Sequence, residues 1–261
     1  MREVPPVAHR VPDATPRPTV AKKAASVVRR VLPSADAWPE LVAGIPRDAA
    51  RFIFVGVTGS GKTTAIREFL GAVGDTFEVI LVHDQKRAEP EFPEGPAIPR
   101  ASAEDVAARS EVEGAPVPLI LVVRGQSVDD LAGVALQLGN AGIETLLVVG
   151  ELSKAVTDGG RELTAPNLRT VFLEGRARHV SVIVQTQMAT RVPGVLYDNA
   201  KVIMFNPGRK ALNYLADRSV VGSEEITALP GLAVMDQGGV GEFIVVCTDR
   251  DWDRRIYAAK P

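Results

Sequence analysis

Eight consecutive residues, Gly56-Val57-Thr58-Gly59-Ser60-Gly61-Lys62-Thr63, match the phosphate-binding pattern G-x-x-x-x-G-K-[ST] in full. Glycines let successive backbone N–H groups curl around phosphate oxygens, and a following helix N-terminus adds its positive end. Lys62 then reaches the β- and γ-phosphates of a nucleotide and the Thr63 hydroxyl ligates Mg²⁺. Gly56, Thr58, Gly59, Ser60, Gly61 and Thr64 complete the cradle. ATP and Mg²⁺ are the cofactors this chemistry calls for.

Hydrolysis at such a loop needs an acidic strand end to orient the metal and activate water. Leu146-Leu147-Val148-Val149-Gly150-Glu151 has the four apolar residues of that strand, but Gly150 stands where a metal-orienting aspartate is usual. Glu151 is the general-base candidate; its competing role is to cap the next turn. Without the aspartate, Mg²⁺ rests on Thr63, the phosphates and its own waters. Asp84, after another apolar strand, is either an additional metal ligand or a turn-former. A third strand ends in Gln185-Thr186-Gln187, where Gln187 can orient water or sense the γ-phosphate, with Gln185 the alternative on the same face.

These residues need a scaffold of short apolar strands alternating with amphipathic helices, which predicts a mostly parallel sheet covered on both faces. The strands are expected at 52–55, 78–82, 119–123, 146–149, 180–184 and 202–205, and the helices at 64–73, 128–141, 165–178 and 209–216. The Pro-, Glu- and Ala-rich stretch 85–118 reads as a surface connection with a small helix at 103–110. Glycines at 238, 239 and 241 predict a hairpin pairing 232–235 with 242–246, a C-terminal antiparallel pair.

Residues 1–46 hold eight of the nineteen prolines and read as an extended, partly basic arm preceding an ATPase domain at 47–261. Lys22, Lys23, Arg29 and Arg30 gather within it, so it is either a tether to a partner or a solvated linker. The single cysteine, Cys247, excludes an intrachain disulfide, and His9, His83 and His179 lack metal-ligand spacing. No segment resembles a signal peptide, and the longest apolar runs are broken by Arg124 and Glu151, so a cytoplasmic setting is expected. A net charge of −2 argues against a wholly basic nucleic-acid coat but permits a local basic loop.

The ordered set resembles the HerA/FtsK superfamily of ring-forming DNA-pumping ATPases, especially the genome-packaging ATPases of membrane-containing double-stranded DNA viruses. The resemblance covers about residues 51–205. It rests on Gly56 to Thr63, on Val79-Ile80-Leu81-Val82-His83-Asp84-Gln85-Lys86 with its Asp-x-Lys end, and on Leu146 to Glu151. It is completed by Glu174-Gly175-Arg176-Ala177-Arg178-His179-Val180, which looks like the family's Gly-Arg helix end, and by the Thr186-Gln187 strand end. Gly150 in place of aspartate is the departure.

The resemblance implies a RecA-like core and a homo-oligomeric ring, pentameric or hexameric, with ATP sites between subunits. It also implies an arginine acting in trans, for which Arg176 and Arg178 come first and Arg191 next; each also reads as a helix-end arginine facing the dipole. Double-stranded DNA would meet the loop 154–169 through Lys154, Arg161 and Arg169, which is otherwise a solvated surface loop. A viral role adds a host-cytoplasmic or virion-associated location and a capsid-vertex or membrane-protein partner for the arm. The other readings are a conjugative or secretion-associated ATPase, and a nucleotide-binding scaffold protein with little turnover.

Overall fold

The computed structural model describes residues 51–73, 76–84, 95–157, 162–205, 214, 241–246 and 255–259. The arm at 1–46 and the expected segments 209–216 (Tyr214 excepted) and 232–235 lie outside the described residues. The elements are β1 (Arg51–Gly56), α1 (Lys62–Val73), β2 (Val79–His83), β3 (Ala97–Ile98), α2 (Ala103–Ser110), β4 (Leu119–Val123), α3 (Val128–Asn140) and β5 (Thr145–Val149). They continue with α4 (Pro166–Glu174), β6 (Val180–Thr186), α5 (Gly194–Asn199), β7 (Lys201–Phe205), β8 (Gly241–Val246) and β9 (Arg255–Ala259).

Among the described residues the strands form one sheet in the order β3-β4-β2-β5-β6-β1-β7-β8-β9. Neighbours from β3 through β7 pair in parallel. The expected C-terminal antiparallel pair is present with a different composition: β8 pairs with β7 and with β9. The local Gly signal located the start of β8 but not its partners, which are chosen by sheet pairing across distant sequence.

Side-chain alternation divides the sheet between two layers. Phe52 and Phe54 face one side, where the Phe52 ring meets Phe69 of α1 edge-on at 5.1 Å. Ile53, Val55, Leu147, Val149, Val182 and Val184 face the other side, in a core with Leu131 and Ala135 of α3 and Leu168 and Phe172 of α4. Both faces are covered, so the strands read as continuous apolar runs rather than alternating ones.

Helix starts follow local chemistry. The Ser102 and Ser127 hydroxyls accept from the backbone N–H groups of Asp105 and Asp130 and cap α2 and α3. Ala165 cannot cap α4, so Asp129 of α3 does it from a distance. Its Oδ1 accepts from Asn167 N at 2.7 Å and Leu168 N at 3.3 Å. The expected helix 165–178 is shorter than read, because α4 stops at Glu174 and Gly175–Arg178 tightens into a 3₁₀ turn. Three elements escaped the sequence reading: β3, too short to show a period, the six-residue α5, and the C-terminal strand β9.

Candidate active site

Parallel strands bring their C-terminal ends to one edge of the sheet, and every candidate of the hydrolytic set except the arginines of the 3₁₀ turn lies along it. β1 ends at Gly56 and the chain turns into α1 through Gly59 and Gly61, both left-handed at φ 78° and 85°. Glycine is the residue that adopts that conformation without strain, so the sequence spacing is a backbone requirement. Thr58 and Gly59 are exposed at the rim, Thr64 is exposed on α1, and Thr63 is half-buried near its start. Lys62 folds across the loop, donating through Nζ to the carbonyls of Gly56 at 2.7 Å and Val57 at 2.9 Å. The Ser60 hydroxyl is buried with no hydrogen-bond partner among the described residues. An ammonium folded over the loop and an orphaned hydroxyl are groups that phosphate oxygens would satisfy. The donor set therefore fits a nucleotide phosphate, and the Thr63 hydroxyl is suited to a hard cation such as Mg²⁺.

β6 lies between β1 and β5, so Glu151 stands beyond the second strand from the loop, roughly 10 Å across the sheet at the usual strand spacing. That interval leaves room for a phosphoryl group and a water. Glu151 is extended and half-buried, and its Oε1 accepts from Ser153 N at 3.1 Å, capping the 3₁₀ turn Leu152–Ala155. The capping role is thus present in the structure. Gln187 is exposed just past the end of β6, between the loop and Glu151, whereas Gln185 is buried within β6 opposite Phe54 of β1.

Gly150 has a steric explanation. Its N–H donates to the His83 carbonyl of β2 at 3.0 Å, and a Cβ built there would lie 2.8 Å from the same oxygen. An aspartate does not fit without moving β2 or β5.

Of the two readings of Asp84, the structure favours one away from the metal. β2 lies three strands from β1, about 14 Å, and Asp84 is buried and turned the other way, towards β4. There Arg124 Nε meets its Oδ2 at 3.3 Å. Both line a polar cleft of about 620 Å³ with Ser127, Asp129 and Thr164, beyond the ends of β2 and β4 and away from the phosphate loop. Sequence reading missed Arg124 as a partner because the pair joins two strands about forty residues apart.

Arg176 and Arg178 precede β6, at the opposite edge of the sheet. Seven strand residues, about 20 Å, separate them from their own loop, so neither can serve the site of its own chain. Arg178 is tied down: Nε and Nη2 donate to Glu174 Oε2 at 3.0 and 2.8 Å, and Nη1 donates to Asn140 Oδ1 at 3.1 Å. Arg176 is exposed beside it. Arg191 ends a 3₁₀ turn after β6, on the edge that carries the phosphate loop.

The described flanks of the basic segment 154–169 pair with each other. Val156 bridges Leu163, Thr157 N donates to Glu162 O, and Thr164 N donates to Ala155 O, forming the base of a hairpin. Lys154 lies in the 3₁₀ turn before it, Arg161 is outside the described residues, and Arg169 is exposed on α4 rather than in the loop.

No family model matches the sequence, and no curated protein matches it. Solved structures do match. The genome packaging NTPase B204 of Sulfolobus turreted icosahedral virus 2, in complex with AMP, superposes with a TM-score of 0.61 at 18% identity, covering 83% of this chain and 99% of that one. This chain has a P-loop NTPase fold. The same fold relates it to the pCW3 conjugation coupling protein TcpA with ATPγS (TM-score 0.53, 16% identity, 82% of this chain and 62% of that one). It also relates it to the bacterial conjugative coupling protein TrwBdeltaN70 (TM-score 0.52, 12% identity, 89% and 93%). Among the described residues, no helix of this P-loop NTPase fold is long and apolar enough to cross a membrane.

Proposed function

We propose that this chain is a Mg²⁺-dependent ATPase that translocates double-stranded DNA as a homo-oligomeric ring, pentameric or hexameric, in the packaging of a viral genome. The observation that carries the reading is the phosphate loop with Glu151 and Gln187 on the neighbouring strand ends, in a fold shared over nearly the whole length of a viral packaging NTPase. The backbone N–H groups of 59–63 and Lys62 bind the phosphates, and the Thr63 hydroxyl faces the metal. Mg²⁺, when bound, would neutralise charge on the transferring phosphoryl group. Glu151 exchanges its capping bond to Ser153 for a water, removes the proton and directs the attack. Gln187 holds that water against the phosphate, and Arg176 of a neighbouring copy stabilises the developing charge. The DNA contacts are phosphate contacts from Lys154, Arg161 and Arg169, and the N-terminal arm engages a capsid-vertex or membrane protein, in the host cytoplasm or the virion.

Steady-state ATPase assays with and without double-stranded DNA test this. Turnover stimulated by DNA is expected. Lys62→Ala should weaken nucleotide binding at least tenfold, and Glu151→Gln should bind normally and lose turnover by about 10²–10³-fold. Wild-type turnover in Glu151→Gln would remove the base assignment. A second reading, a nucleotide-dependent scaffold, is favoured by the Glu151 cap and by Gly150; binding without turnover in the wild type would select it. A conjugative coupling role, suggested by the TcpA and TrwB likenesses, would appear as specific association with a relaxosome-type or secretion-channel partner rather than a capsid protein.

A further inference from the structure

The acidic position lost from β5 lies beside a polar side chain on β6. Val149 is in register with Val184, so the next residues, Gly150 and Gln185, sit next to each other on the α1 side of the sheet. Gln185 is only 4% exposed, an unusual burial for a carboxamide. Its Nε2 lies 3.7 Å from where a Cβ on Gly150 would stand, on the side not occupied by the His83 carbonyl. The two positions share one space: β5 contributes no side chain to it and β6 contributes an amide. β6 is also the strand hydrogen-bonded to β1, so this amide starts one strand spacing closer to the phosphate loop than an aspartate at 150 would.

The geometry points to Gln185 as the positioning residue that takes over the work of the missing aspartate, orienting a water of the Mg²⁺ shell at the nucleotide. The inference rests on the ATPase reading above and extends it to a residue outside the loop, Glu151 and Gln187. The chemistry is suitable, because Mg²⁺ keeps several of its waters and is commonly held through them rather than by direct ligation. A carboxamide accepts through Oε1 and donates through Nε2, so it can fix a water's orientation. It brings no negative charge. The cation is then held by Thr63, the nucleotide and an uncharged outer partner, and its affinity depends on the nucleotide more than in a site with a carboxylate at the strand end.

Titrations of the full chain with ATPγS, in EDTA and across a Mg²⁺ series, test this without relying on turnover. Gln185→Met keeps the volume and removes the polar atoms. It should bind ATPγS in EDTA as the wild type does and lose about tenfold of the Mg²⁺-dependent gain in affinity. Gln185→Glu supplies the charge from β6 and should reach half its Mg²⁺ effect at an about tenfold lower Mg²⁺ concentration. A Met variant that keeps the full Mg²⁺ gain overturns the assignment. So does a Met variant that loses binding in EDTA as well, since Gln185 would then support the packing of the loop rather than the metal. A wild type that does not bind ATPγS at all refutes the ATPase reading itself before any variant is compared, and this inference falls with it.

Discussion

Gly150→Ala gives a test of sign. Gly150 is not in the left-handed region, so its backbone accepts any residue, and in open space alanine would stabilise the fold by about 0.4–1 kcal/mol through the unfolded chain. The space is closed. The new Cβ would stand 2.8 Å from the His83 carbonyl oxygen, 0.6 Å inside the 3.4 Å at which ordinary contact begins, and the neighbour is backbone, which cannot rotate away. Relief requires β5 to part from β2, at the point where Gly150 N donates to that same oxygen. Overpacking of this kind costs about 1–3 kcal/mol and a weakened hydrogen bond about 1 kcal/mol. Set against the chain-entropy gain, the net loss is about 2 kcal/mol, or a fall in Tm of about 4–8 °C for a domain of this size. Gly150→Asp should fall further, because its carboxylate is pressed towards a carbonyl oxygen, and it should not raise ATPase activity despite restoring an acidic pair with Glu151. Thermal unfolding by circular dichroism, with ATPase rates measured well below both transitions, reads all of this. An alanine variant as stable as the wild type or more so would refute the steric account of Gly150.

The arginines before β6 should separate by phenotype. Arg176→Ala should leave ATPγS binding unchanged and lower turnover in the assembled protein, with partial recovery when it is mixed with Lys62→Ala subunits that supply the intact arginine. Arg178→Ala should instead lower Tm by about 1–3 °C through its lost contacts to Glu174 and Asn140, a small effect because both contacts are exposed, and an unchanged Tm would contradict it. Asp129→Ala removes the side-chain cap of α4, leaving Asn167 N and Leu168 N without it, and should cost about 1–2 kcal/mol by chemical denaturation. A variant within error of the wild type would mean that α4 is held by packing alone.

Much of the site was legible because its determinants are local. The phosphate loop needs glycine at left-handed positions and a strand and helix on either side, all within 51–73, and the structure has them in that order. The Ser-x-x-Asp starts of α2 and α3 are equally local. The C-terminal pairing was misassigned for the opposite reason, since strand partners are selected by contacts between segments far apart in sequence. Asp84 failed as a metal candidate on the same ground: a strand end says that a side chain reaches the active edge but not how many strands separate it from the loop.

The sequence by itself determined that a phosphate cradle, an acidic strand end and a polar strand end exist, because residue type and spacing dictate backbone conformation over a few residues. Only the tertiary structure decided what these elements do to one another. Inserting β6 between β1 and β5 puts Gln187 between the loop and Glu151 and sends Arg176 to the far edge. Packing β2 against β5 closes the space at Gly150 and leaves it to Gln185. Sheet order and register arise from burying both faces of every strand at once, a many-body condition that no short stretch of sequence contains.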